Sequence, residues 1–437
     1  MKNLKLFTLA VFAMISLLFV SASMAQTNTT GSVEGTVTDQ NGAVVRGVTL
    51  TLSGPGLIRE QTTVSDDSGN YRFSSVPPGR YTLSTAPISG FQASKQDRVE
   101  VNLTKSSTID VKLTTTAVSG VVDVVAGAGI DQTANTTGAS VSTEFFSNIP
   151  TSRTVQGLYT IAPTVARSGL RDASGRDRDP SVAGSSGPEN SYILDGVTTT
   201  DPAFGGGGAN LPFEFVQEVQ VKTGSYGADQ GLSTGGVFNV ITKSGTNEFH
   251  GDAFAFFGLK SLVAKTKNFP QTGLAPNGFS EQDYGFDIGG PIVKNKVTFF
   301  AAINPQHREN FYLTQSFRKP ASGKINTPFY SGKVTWQVNN NNVVNLSTFG
   351  DYTKEEGHLF AGSGFGSSLD PFAGTRETGG TNYSARWNSN FSSHFLGEFS
   401  FGVHRQRSNI IPLASQVGVQ GITDNFAILK ADGTVAN

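Results

Sequence analysis

Hydrophobic positions follow three different rules in succession along this chain. The first is a solid block: beyond Lys2 and Lys5, residues 6–20 are apolar apart from Thr8 and Ser16. From residue 31 to about 115 the block gives way to short apolar–polar alternations. They include Val33-Glu34-Gly35-Thr36-Val37, Val48-Thr49-Leu50-Thr51-Leu52, Tyr71-Arg72-Phe73 and Arg80-Tyr81-Thr82-Leu83. Turn clusters separate these runs: Asp39-Gln40-Asn41-Gly42, Ser53-Gly54-Pro55-Gly56, Asp66-Asp67-Ser68-Gly69-Asn70 and Pro77-Pro78-Gly79. Alternation broken at short intervals by turns predicts a small β-sandwich. From Asn247 onward the alternation returns in longer runs, and a third kind of structure is expected there.

The opening block is about 15 residues long, short of the ~20 that a membrane-spanning helix needs. It follows a positive n-region and precedes Ser23-Met24-Ala25, small residues at the two positions a signal peptidase reads. Cleavage is therefore expected between Ala25 and Gln26, and the chain is read as exported. After it no run approaches ~18 apolar residues, and the mean hydropathy is -0.17. That excludes a bundle of membrane helices but not a β-barrel, whose alternating strands average to neutral.

Residues 116–135 form a linker rich in Thr, Val, Gly and Ala, and within it Val118 to Val125 is a β-prone, nearly uncharged run. Such a run either adds as a strand to a partner's sheet or forms the last strand of the sandwich. Residues 136–245 look like a compact α/β unit. Short helices are expected over 144–149 and 153–161, and strands over 191–197, 213–221 and 235–245. Between them lies the polar segment Arg171-Asp172-Ala173-Ser174-Gly175-Arg176-Asp177-Arg178-Asp179. It is read as a solvated loop or as a loop that touches ligand.

In the last region Tyr284, Phe286 and Ile288 oppose Asp283, Gly285 and Asp287. Val334, Trp336 and Val338 oppose Lys333, Thr335 and Gln337, and Tyr383, Ala385, Trp387 and Phe391 oppose Ser384, Arg386, Asn388 and Asn390. Phe395, Phe399, Phe401 and Val403 likewise oppose Glu398, Ser400, Gly402 and His404. An apolar face toward lipid and a polar face toward a lumen is the barrel pattern, although a soluble sandwich alternates too. Connection lengths favour the barrel. The links at 290–296, 339–342 and 392–393 are short, whereas those at 259–282, 304–328 and 353–380 run to roughly 25 residues each, far beyond the usual 2–6. Short and long alternate along about seven expected strands, as they do when one rim carries tight turns and the other long loops.

Composition adds mainly exclusions. The formal net charge is -1, which gives no electrostatic case for nucleic acid. There is no cysteine, so no disulfide framework and no thiolate metal site. Of 32 phenylalanines, 21 fall in the 192 residues after 245, in keeping with a region built on different rules. The five histidines sit in no H-E-x-x-H arrangement, and neither G-x-S-x-G nor a phosphate-binding loop occurs. Gly205 to Gly208 is read as a flexible loop. The acidic turn at 66–70 lacks the later Glu of a calcium loop and reads as an Asx turn. No enzyme, metal or cofactor is expected.

Two segments resemble known domains closely. Gly35 to Val48 and Gly69 to Tyr81 carry the opening and core motifs of the carboxypeptidase regulatory-like domain. Tyr192-Ile193-Leu194-Asp195-Gly196-Val197, Phe215-Val216-Gln217-Glu218-Val219 and the run from Gly235 to Asn247 resemble the plug of TonB-dependent receptors. More narrowly they resemble the Oar-like branch, in which a regulatory-like domain precedes the plug. Gly289-Gly290-Pro291 through Phe300 is similar to that branch's first-hairpin motif, with Asn295 in place of Asp and Thr298 in place of an aromatic.

The resemblance implies a mainly β protein. An Ig-like, carbohydrate-binding-like β-sandwich (26–115) precedes the linker (116–135) and a small α/β plug (136–245), and the first strands of an antiparallel transmembrane β-barrel follow (246–437). It implies a receptor in the outer membrane of a Gram-negative-type bacterium, in contact with outer-membrane lipid and driven by the TonB complex of the inner membrane. Its ligand would be a scarce extracellular nutrient: an iron chelate, cobalamin or a glycan. Val121, Val122, Asp123, Val124 and Val125 stand where a TonB box belongs. Arg171, Asp172, Arg176, Asp177, Arg178, Asp179, Phe204 and Asn210 are the candidate ligand contacts. A surface adhesin anchored by its barrel is the alternative, and a passive porin, which should lack a plug, is disfavoured. Plugged receptors close with about 22 strands, so about seven strands are not expected to form a working pore alone. The chain is expected to be part of a longer receptor.

Overall fold

The computed structural model describes residues 29–88, 90–115, 122–125, 137–150, 153–166, 179–201, 205–227, 233–263, 274–314, 320–359, 373–391 and 396–412. The first unit is the expected sandwich. One sheet is ordered Asn70–Val76, Gly31–Thr38, Ser106–Thr108, and Val111–Lys112 also pairs with Gly31–Thr38. The other is ordered Gln61–Val64, Thr49–Ser53, Gly79–Thr85, Ser94–Val101, Val122–Val125. Alternate residues point inward, so Val33, Val37, Leu50, Leu52, Phe73 and Leu83 form one core. At the acidic turn Asp66 Oδ1 accepts from the amides of Ser68 and Asn70 at 2.9 and 2.8 Å. Gly69 there has φ +73°, so the carboxylate completes an Asx turn.

The second unit is a five-stranded sheet ordered Thr137–Ser142, Val216–Gly224, Val237–Thr242, Ser191–Leu194, Val197–Thr198. Two of its three inner strands, Ser191–Leu194 and Val237–Thr242, are buried along their whole length. The helices are shorter than expected, Thr143–Phe146 and Val155–Tyr159. Pro150 and Pro163 cannot extend a helical hydrogen-bond ladder, and the residue before each is pushed toward extended backbone.

The third unit is one antiparallel sheet. In spatial order it runs Ala253–Gly258, Leu274–Val293, Val297–Thr314, Pro320–Asn339, then Asn342–Gly350 with Thr353–Leu359, then Ala373–Asn390 and Leu396–Pro412. Asn342–Gly350 and Thr353–Leu359 share both neighbours, Pro320–Asn339 and Ala373–Asn390, and so occupy one position in the sheet. The tight turns fall at 294–296 and 340–341; the third short link, at 392–393, lies outside the described residues.

The long links are different from the expectation. Strands of 17–20 residues span on the order of 60 Å at ~3.3 Å per residue, where ~10 residues suffice to cross a bilayer. Most of 304–328 and part of 353–380 is therefore strand continuing beyond the membrane band. Backbone amides outside the bilayer still gain from pairing, which polar side chains there do not prevent.

The outward face is apolar, with Tyr284, Phe286, Ile288, Trp336, Trp387, Phe399 and Phe401 all exposed. The inward face is less polar than the alternation implies. Phe300, Phe329 and Phe349 point inward and join the core of the second unit with Phe146, Phe215 and Phe238. A wall in contact with a folded plug buries apolar surface on both sides.

Candidate functional site: the plug against the barrel wall

Three groups of contacts fix the plug. The first is at the Asp195-Gly196 turn that ends the Ser191–Leu194 strand. Asp195 takes φ +46° and Gly196 φ +76°, and the turn aims the Asp195 carboxylate at the neighbouring strand and at the wall. Thr242 donates to it from its amide at 3.0 Å and its hydroxyl at 2.6 Å. Lys333 of the wall donates to Asp195 Oδ1 at 2.9 Å and to the Thr242 carbonyl at 2.7 Å. Arg386, two wall positions away, donates to the Asp195 carbonyl at 3.3 Å and pairs with Glu398 at 3.2 Å. Burial alone would raise the Asp195 carboxyl; the Lys333 ammonium and the Thr242 donors hold it below the usual carboxylate range. Both ion-pair partners are buried, so removing either strands an uncompensated charge.

The second group pins the plug at the first wall strands. Lys243 pairs with Asp287 at 3.2 Å. Arg153 pairs with Glu214, reaches Asp283 at 3.6 Å and lies over the Phe256 ring at 3.2 Å. Neither Asp195 nor Arg153 stood out in the sequence as a site. Lys333 shares its strand with a second lysine, Lys324, so a cation there carried no distinguishing signal of its own.

The third group holds the loops expected to meet ligand. Arg171, Asp172, Arg176, Asp177, Arg178 and Phe204 lie outside the described residues, as do Ala25 and Gln26 of the cleavage site. The described members are brought together. Asp179 is buried, and its Oδ1 accepts from the Gly207 amide at 2.9 Å. Gly206 turns beside it at φ +79°, and a Cβ there would lie 2.6 Å from Asp179 Oδ1. The Asn210 amide donates to Asp351 Oδ2 of the wall at 2.7 Å, and Asp351 Oδ1 accepts from the Gly380 amide at 2.7 Å. Gln406 of the last described strand reaches Asp201 at 3.4 Å. Asp179 and Asn210 thus carry positioning contacts at the bases of both loops.

The candidate coupling segment is a strand. Val122–Val125 pairs in parallel with the sandwich, Ser94 opposite Val122 through Asp97 opposite Val125, and ends the five-stranded sheet. Its other edge has no strand neighbour among the described residues. Val121 lies outside them.

Comparison with known proteins gives this architecture its relatives. Residues 32–114 match the carboxypeptidase regulatory-like domain family, and residues 241–310 match an outer membrane beta barrel domain family. Over 304 residues, 66% of this chain, the sequence is 36% identical to the TonB-dependent transporter Oar of Myxococcus xanthus. The chain is a homologue of the Oar-type TonB-dependent transporters. It covers 28% of that relative's length, and 39% of the ferrienterobactin receptor of Escherichia coli K12, to which it is 25% identical over 299 residues. Among solved structures it is similar to the outer membrane transporter YddB from Escherichia coli. The TM-score there is 0.48 at 15% identity, covering 61% of this chain and 38% of that one. The Oar-type homology and the barrel match place the protein in the outer membrane of a Gram-negative bacterium.

Proposed function

We propose that this chain supplies the sandwich, the plug and the first wall strands of a receptor that binds an extracellular nutrient and imports it with energy from the TonB complex. In this reading residues 1–25 are a signal peptide, 26–115 the regulatory-like sandwich, 116–135 the coupling linker, 136–245 the plug and 246–437 the barrel strands. The observation that carries it is the seat of the plug. It is held to the wall by discrete ion pairs at Lys333, Lys243 and Arg153 and by side-chain packing on Phe300, Phe329 and Phe349, and among the described residues no plug strand pairs with a wall strand. A unit held by separable contacts moves without tearing the barrel's hydrogen-bonded ladder.

Val121 to Val125 is the segment on which TonB would pull. A partner strand adds to the open edge of Val122–Val125, or displaces it from Ser94–Asp97; either uses main-chain hydrogen bonds. Ligand would meet the loops whose bases are Asp179 and Asn210. Oar is named a transporter and the Escherichia coli relative a ferrienterobactin receptor, which makes ferric siderophores the first ligands to try, followed by cobalamin and glycans. The test is uptake of ferric enterobactin, cobalamin and oligosaccharides by a strain lacking this gene, with and without functional TonB. TonB-dependent loss of one uptake supports the reading. Surface attachment lost with every uptake intact would assign the protein to the adhesins.

A further inference from the structure

Among the described residues the sandwich is fastened to the plug by the Arg80–Glu144 ion pair and by a buried grip on one turn. After its Ser94–Val101 strand the sandwich turns through Asn102 to Lys105, and Leu103 in that turn is fully buried. Glu218, on the plug strand Val216–Gly224, accepts from the Leu103 amide at 3.1 Å and from the Ser140 hydroxyl. Two residues on, and so on the same face, the Gln220 amide nitrogen donates to the Leu103 carbonyl at 2.6 Å and to the Thr104 hydroxyl at 2.8 Å. The pair therefore grips both polar groups of one buried peptide residue. Glu218 is 2% exposed. The charged and titratable groups around it are Glu100 at the end of the sandwich strand, Lys105 in the turn and the Tyr81 phenol. On the short helix beside it Glu144 is already paired with Arg80 at 2.5 Å, and opposite it in the plug sheet stands Ile241.

We propose that Glu218 is a proton-dependent latch between the N-terminal sandwich and the plug, closed while its carboxyl is protonated and loosened as it ionises. Burial is the main influence on this carboxyl; Ser140 and the Leu103 amide oppose it only in part, and it is pushed up to about 7. The docked state then binds more protons than the undocked one, where the carboxyl titrates near 4.5. Docking is strongest at low pH, weakens as pH rises through the window between those values, and levels off above about 7. The latch borders a cavity of about 480 Å³ lined by all three units, with Asn102 and Glu100 from the sandwich, Glu218 and Lys243 from the plug, and Asn345 and Arg386 from the wall. Loosening the latch widens that space between sandwich and plug. None of this depends on the import reading.

The test is hydrogen exchange of the Leu103 amide in the full chain, held in outer-membrane vesicles, at pH 6 and pH 8 and corrected for the intrinsic pH dependence of exchange. The latch gives an excess opening of about tenfold at the higher pH. Glu218→Gln removes the excess. Gln220→Ala speeds exchange at both pH values and keeps the ratio. An unchanged corrected ratio in the wild type, or a tenfold ratio surviving in Glu218→Gln, overturns the proposal. If Glu218→Gln does not fold, the wild-type ratio alone decides.

Discussion

Lys333 of the wall donates to Asp195 of the plug at 2.9 Å, a contact between buried residues 138 positions apart in the chain. Among the described residues the two charged groups hydrogen-bond directly to each other and to Thr242. Lys333→Met leaves the Asp195 carboxylate buried without its cation, at a cost of about 3–5 kcal/mol. Denaturant unfolding of the plug, followed by proteolysis between plug and wall, should shift by that amount. The double variant Asp195→Leu with Lys333→Met recovers most of the loss, because no charge is left stranded.

Val122–Val125 has one edge paired with the sandwich and one without a strand neighbour among the described residues. Proline at 122 or 124 removes a ladder donor and fixes φ. Uptake of the recognised nutrient is expected to vanish while binding at the cell surface stays within about twofold. Uptake that survives both substitutions places the coupling segment elsewhere.

Asp179 Oδ1 ties the bases of the two candidate ligand loops together through the Gly207 amide. Asp179→Ala leaves that buried amide without the carboxylate, a loss of about 1–3 kcal/mol. Ligand affinity measured on whole cells should fall with it. Charge reversal at Arg176 and Arg178 should weaken binding of an anionic ligand and leave a neutral one unaffected.

Ile288 faces outward, five residues before the turn that ends its strand at Val293. That depth is near the middle of the bilayer for a strand crossing with ~10 residues. Ile288→Arg is expected to destabilise the barrel by about 2–4 kcal/mol, read as loss of folded protein in lipid vesicles; Ile288→Leu should be neutral.

Much of this was legible beforehand. Alternation located the sandwich strands and the two faces of the wall, because a strand's side chains point to opposite faces whatever surrounds them. The turn residues located the short links at 290–296 and 339–342 for the same local reason, and the structure narrows their turns to 294–296 and 340–341. Strand length was not legible: polar residues in 304–328 look like loop, yet their backbone pairs with neighbours that only the assembled sheet supplies. The inward phenylalanines at 300, 329 and 349 broke the polar-lumen expectation because the plug occupies that side.

The division between the two sources follows from range. The sequence by itself determined the three units, the β character of two of them and the outward apolar face, since each depends on residues within a few positions of one another. Only the tertiary structure decided that Lys333 meets Asp195, that Glu218 grips Leu103, and that Val122–Val125 ends the sandwich sheet. Those partners lie in different units, and an isolated lysine or glutamate on a strand carries no local signature of the charge or peptide group it will face once burial removes water from both.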